Sequence, residues 1–198
     1  KLENRHRSAQ ASDTAVGREG RSTWNLAFVL VCVVTALFRF PMLGYSEFQG
    51  DEALIMGRAA QILAGERDQI FLHQKGPVEL LMPVALWALT ETVNEDLARE
   101  PFALVGVLAV AAIASLAARW FGPRAGVLAG LLVAGNGFLL AFSRIVQYQN
   151  VVVAMGALSL LALTHYAQMR VYERRSPLPL SMGFMERGPG GEVYFRRR

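Results

Sequence analysis

An all-α membrane protein is the fold class this sequence predicts, on three observations. Apolar residues fill 53% of the 198 positions, and mean hydropathy is positive at +0.30. The charges fall in blocks separated by long uncharged runs, as in multi-span helical proteins. The basic residues gather in a few connecting segments, where they set orientation across a bilayer. The net charge of +4 is modest and gives no reason to expect nucleic acid as a partner. Cys32 is the one cysteine, so no disulfide forms within a single chain. It sits in an apolar run and reads as a small lipid- or helix-facing residue.

Residues 1–23 are polar and mixed in charge, which predicts a flexible cytoplasmic tail and not a secretory signal. The run from Asn25 to Leu43 follows. At ~1.5 Å per residue it is about long enough to cross a ~30 Å hydrocarbon core. Arg39 lies near its far end, placed to snorkel or to line a site. Residues 51–64 read as a helix with Asp51 at its start and Gly65 at its stop. Leu54, Ile55, Ala59, Ile62 and Leu63 give that helix an apolar stripe, so it is expected on the membrane surface and not across it. Residues 78–90 are strongly apolar but short, begin near Glu79 and contain Pro83. A span needs ~20 residues, so this segment too reads as an interfacial or re-entrant helix.

Loop charges test that topology. With 78–90 on the surface, the acidic stretch Glu91, Glu95, Asp96, Glu100 lies outside, and Arg119 and Arg124 lie inside. The cluster Arg170, Arg174, Arg175 is then also inside. If 78–90 crossed, both basic groups would fall outside, against the positive-inside rule. The expectation is four spans, at 25–43, 102–118, 125–141 and 151–169, with both termini cytoplasmic. They form a module over 24–169 whose outer loop, 44–101, carries the two surface helices. Small residues such as Gly106, Gly126 and Gly130 let spans two and three approach closely. The basic segment 170–198, with its Pro and Gly, reads as a disordered cytoplasmic tail.

On this topology three polar stretches meet on the outer face, 47–52, 73–79 and 143–150. They hold Glu47, Asp51, Glu52, His73, Lys75, Glu79, Arg144, Gln147 and Gln149, and the surface helix between the first two adds Arg58. A carboxylate there can take a proton from an acceptor hydroxyl. Lysine as a point charge and arginine as a fork can hold a phosphate. Each residue also has a plainer reading. Asp51 can simply cap its helix, a contribution of ~1 kcal/mol. His73 suits an interfacial hydrogen bond, and no second histidine stands near it to make a metal motif. Arg58 can snorkel or pair with a nearby acid.

Order and spacing add a family resemblance. Gly50-Asp51-Glu52-Ala53, Lys75-Gly76-Pro77, Leu97-Ala98-Arg99, Phe121-Gly122-Pro123-Arg124-Ala125-Gly126 and Phe142-Ser143-Arg144 follow one another in the chain. As a series spanning 25–169 they resemble glycosyltransferase family 39, among the C-type (GT-C) membrane glycosyltransferases. That group contains the dolichyl-phosphate-mannose protein mannosyltransferases and is similar to the lipid A aminoarabinose transferases. The resemblance implies a GT-C transmembrane module that takes a sugar from a polyprenyl- or dolichyl-phosphate donor. The acceptor would be a hydroxyl on protein, lipid or glycan, at the extracytoplasmic face of a multi-pass membrane protein, with a prokaryotic plasma membrane as the expected location.

The same resemblance casts Asp51 as the catalytic carboxylate, with Glu52 its partner in orienting the acceptor or binding a metal. Lys75 would contact the donor phosphate, and Arg144 the phosphate or the sugar. His73, Arg58 and Gln149 would complete the substrate-binding set. No cofactor is required, although a divalent ion (Mg or Mn) stays open without a ligand set to hold it. Two departures stand out: Gly76 replaces the first proline after the lysine, and Gln149 stands where many relatives carry a second acid. Family enzymes have more spans than four, and this chain begins with Lys1. It is therefore expected to be a piece, a truncated or frameshifted product or an N-terminal module, whose pocket later helices complete; its activity alone stays open. The competing reading is a non-catalytic multi-span protein, a transporter fragment or lipid-binding scaffold.

Overall fold

The computed structural model describes residues 23–48, 50–72, 76–175, 185–187 and 193–195. The chain divides into two compact units, Lys1–Leu161 and Ala162–Arg198.

In the first unit, α1 runs over Thr23–Arg39. It stops short of the expected Leu43: Pro41 disfavours helical backbone at the residue before it, and Met42 then turns the chain with φ 56. Helix α2 is Asp51–Leu63, and a 3-10 turn follows at Arg67–Ile70. Helix α3 is Val78–Thr90 and keeps Pro83 buried inside it. The α2 face that packs is Glu52, Ile55, Met56 and Ala59. Of the stripe expected from the sequence, Ile55 and Ala59 are buried in the packing while Leu54 and Leu63 are exposed.

Helix α4, Glu95–Phe121, is longer at both ends than the expected span 102–118. Asn94 sets its start, its side-chain oxygen accepting the Leu97 N–H at 2.8 Å. Gly122, with φ 93, ends it, and Pro123 opens α5, Pro123–Ala134. The expected continuous run 125–141 is broken at Gly135-Asn136. There Asn136 caps a separate short helix α6, Gly137–Phe142, by accepting the Leu139 N–H at 3.0 Å. A side chain that satisfies the new helix's N–H groups makes the break cheap. Helix α7, Gln149–Arg175, closes the helical part.

Among the described residues, Glu95–Phe121 and Gln149–Tyr172 are long and apolar enough to cross a membrane. Thr23–Arg39 and Pro123–Ala134 are apolar but shorter.

Two clusters of buried residues surround α4. Against its first turns, Ile55, Met56 and Ala59 of α2 meet Leu80 and Trp87 of α3, with Ala98, Phe102 and Val146. Trp87 is satisfied there as well as buried, donating Nε1–H to the Asn94 carbonyl at 3.1 Å. Further along α4, Val110 packs with Val31 of α1 and Ala134 of α5. A Cβ added at Gly130 would lie 2.7 Å from Val31, and one at Gly126 2.6 Å from Ala118. The small residues therefore set the helix separation.

The second unit contains the end of α7, where Arg170 Nε donates to the Tyr166 hydroxyl at 2.9 Å. It also contains two three-residue strands, β1 (Met185–Arg187) and β2 (Val193–Phe195), paired antiparallel with Glu186 opposite Tyr194. Apart from these two short strands the described residues are helical, in keeping with the expected all-α class. Residues 170–175 continue the helix, and Val193, Tyr194 and Phe195 are the β-favouring residues of that stretch.

Candidate functional site

The polar end of the first unit is organised by Arg99, in the first turns of α4. Its side chain is 1% exposed and pairs with Glu52, 6% exposed, at 2.8 Å. Arg99 Nε and Nη2 donate to the two Glu52 oxygens, each at 2.8 Å, a bidentate fork. The remaining donors go to carbonyls of the loop after α1. Nη1 reaches Leu43 at 2.6 Å and Ser46 at 2.9 Å, and Nη2 reaches Glu47 at 3.4 Å. A guanidinium has five N–H donors, and here each has an acceptor. Glu52 Oε1 also accepts the Val146 N–H at 3.0 Å. The pair thus ties α2, α4, the 43–47 loop and the 143–148 turn into one network, as a buried ion pair must if it is not to be costly.

The other polar residues extend this network. Arg144 donates to the carbonyls of Phe38, Arg39, Pro41 and Met42 at 2.9–3.3 Å. The loop after α1 is therefore held by two arginines from distant parts of the chain. Asp96 accepts the Gly44 N–H. Glu79, fully buried on α3, accepts the Tyr148 N–H at 2.6 Å. The 143–148 turn is thus gripped by buried carboxylates at Val146 and Tyr148, two residues apart. Arg39, expected to snorkel or line the site, is instead 1% exposed. Its Nη1 donates to the carbonyls of Thr35 (3.4 Å) and Ala134 (3.3 Å), while its Nε has no partner.

Beside Arg99 lies a cleft of ≈ 230 Å³ lined by Tyr45, Glu47, Asp51, Glu52 and Gln147 among others. Asp51 is exposed at the first position of α2, while Glu52, one residue on, points into the network. Arg58 Nη1 donates to the Leu72 carbonyl at 3.0 Å, bracing the segment that leads to Lys75. Gln149 Oε1 is buried without a partner. His73 and Lys75 lie outside the described residues. Of the expected substrate-binding set, then, Arg144 and Arg58 are turned onto backbone carbonyls. Asp51 and Glu52 come together with Gln147 at the cleft.

The expected set gave no role to Arg99, Glu79 or Tyr45. For Arg99 a signal existed, in the Leu97-Ala98-Arg99 lead-in. Among the described residues no three His, Cys, Asp or Glu side chains could hold a metal ion. Both Glu52 oxygens are engaged by protein donors.

Two helices long and apolar enough to cross a membrane thus accompany a buried charge network that supports a polar cleft, its carboxylates and arginine carried by α2 and α4. Residues 74–185 match the model of the family described as dolichyl-phosphate-mannose-protein mannosyltransferase. That is more than half of the chain, and the chain belongs to this family. Its members are integral-membrane, mannosyltransferase-like glycosyltransferases that use lipid-linked sugar donors. The match takes in Lys75, Arg99, Arg144 and Gln149 and begins downstream of Asp51 and Glu52. No curated protein and no solved structure matches the chain.

Proposed function

We propose that this chain serves transfer of a sugar from a polyprenyl- or dolichyl-phosphate donor to an acceptor hydroxyl at the extracytoplasmic face. In this reading 24–169 is a GT-C module of four spans with α2 and α3 at the membrane surface, and both termini are cytoplasmic.

One observation carries the assignment of roles: adjacent carboxylates are given different environments. Glu52 is saturated by Arg99 and the Val146 N–H, whereas Asp51 stands exposed on the cleft. Asp51 is the general base. It takes the acceptor proton as the acceptor oxygen bonds to the anomeric carbon and the bond from that carbon to the phosphate oxygen breaks. The electron pair leaves with the lipid phosphate, which Lys75 attracts. Glu52 and Arg99 are positioning residues, and Arg144 holds the 38–42 backbone.

Asp51→Asn is expected to lower transfer by about 10²–10⁴-fold in membranes that contain folded, inserted protein. Unchanged transfer in that variant sinks the assignment of the base. Lys75→Ala is expected to raise the KM for donor more than it lowers kcat.

A further inference from the structure

Tyr45 stands out from the other residues of the cleft because the chain holds it rigidly while leaving it open. Its ring is 64% exposed, yet its neighbours on both sides are bonded to distant elements. Met42 accepts from Arg144 at 3.2 Å, and Gly44 donates to Asp96. Leu43 and Ser46 both accept from Arg99 Nη1, at 2.6 and 2.9 Å. The Tyr45 N–H itself donates to the Met42 carbonyl at 3.3 Å. The guanidinium carbons of Arg99 and Arg144 lie 6.0 and 5.8 Å from the ring centroid, within range of a cation–π contact.

A loop residue normally loses backbone freedom when a ligand binds it; here the backbone on both sides of Tyr45 is already held by Arg99, Arg144 and Asp96, which lowers the cost of ordering it for a ligand. Tyr45 lines the cleft together with Glu47, Asp51 and Gln147, the last only 8% exposed. At ≈ 230 Å³ the cleft is smaller than the ~300–1,000 Å³ typical of drug-sized ligands and suits one small ring. An aromatic face on one side, with carboxylates and an amide beside it, is the chemistry that recognises a pyranose. The weakly positive C–H bonds of one sugar face stack on the negative π-face, and the hydroxyls at its edge meet the polar groups.

We propose that Tyr45 is the stacking platform for the pyranose ring of the lipid-linked donor, set against Asp51 and Gln147. The proposal rests on the glycosyltransferase reading above.

The test measures binding of dolichyl-phosphate-mannose and of bare dolichyl phosphate to the full chain in nanodiscs. Tyr45→Leu keeps apolar bulk without a π-face; Tyr45→Phe keeps the ring. Tyr45→Leu should weaken the sugar-bearing lipid by about three- to tenfold and leave bare dolichyl phosphate within twofold. Tyr45→Phe should resemble the unsubstituted protein for both lipids. Equal losses on both lipids, no loss, a Phe variant as weak as the Leu variant, or no binding of either lipid by the unsubstituted protein would each overturn the proposal. Asp51→Asn separates this from the catalytic assignment, because it should cost transfer far more than it costs donor binding. A selective Tyr45→Leu loss beside full Asp51→Asn transfer would leave the platform standing and remove the base.

Discussion

Within the first unit, the two ends of the helix packing around α4 are held by different physics. At one end Arg99, Glu52, Arg144 and Glu79 fix loops and turns through directional hydrogen bonds to named carbonyls and N–H groups. At the other end side chains of neighbouring helices sit close against glycine backbone. Gly126 lies under Ala118 and Trp24, and Gly130 lies under Val31. A groove of ≈ 810 Å³ opens there, lined by Trp24, Phe121, Val127 and Leu128 among others. Close helix packing sets a distance but does not aim any side chain. A charged network costs desolvation and in return holds each group at one angle. A cleft meant for chemistry belongs at the second kind of end.

The comparison breaks first at Arg99. Arg99→Met leaves Glu52 charged and buried and deprives three loop carbonyls of their donor, so destabilisation of ~3–5 kcal/mol is expected. Thermal unfolding in detergent should show it, and Glu52→Met in the same chain should restore much of the loss. An Arg99→Met protein as stable as the parent would mean the network does not hold that end together. Gly126→Ala tests the apolar end. Its new Cβ would sit 2.6 Å from Ala118 Cβ and 2.7 Å from the Ala114 carbonyl, and a cost of ~1–3 kcal/mol follows from overpacking. Donor binding at the far cleft should survive that change, and a parallel loss of binding would show the two ends to be coupled.

Smaller effects sharpen the boundaries. Asn94→Ala removes the cap on the Leu97 N–H, with ~1 kcal/mol of stability expected to go. Circular dichroism melting of the pair of proteins measures the difference. Gly57 on α2 has nothing within 4 Å of an added Cβ. Gly57→Ala should therefore stabilise by ~0.5–1 kcal/mol, and a lower melting temperature would reveal a contact at that face.

The residues alone determined several elements of this protein. Asp51 and Gly65 bracket α2, Pro77 precedes α3, and Gly122-Pro123 divides α4 from α5, because these residues act on φ and on local N–H groups. The small residues of α4 and α5 announced close packing for a similarly local reason. The ordered series from Asp51-Glu52 to Ser143-Arg144 resembled the family to which the chain belongs. Local chemistry could not separate Asp51 from Glu52. They are neighbours with the same functional group, and on a helix successive side chains point ~100° apart. Which one turns inward depends on Arg99, far along the chain, and on the Val146 N–H, farther still. Arg144 reads in sequence as a phosphate ligand, yet its guanidinium is taken by the carbonyls of 38–42, which only the folded chain brings near. The break at Asn136 has the same origin: a capping side chain is visible in sequence, but whether a helix bends there depends on what it packs against. Tertiary structure decided the roles of the charged residues because a charge is assigned by the partner it meets, and these partners come from separate parts of the chain.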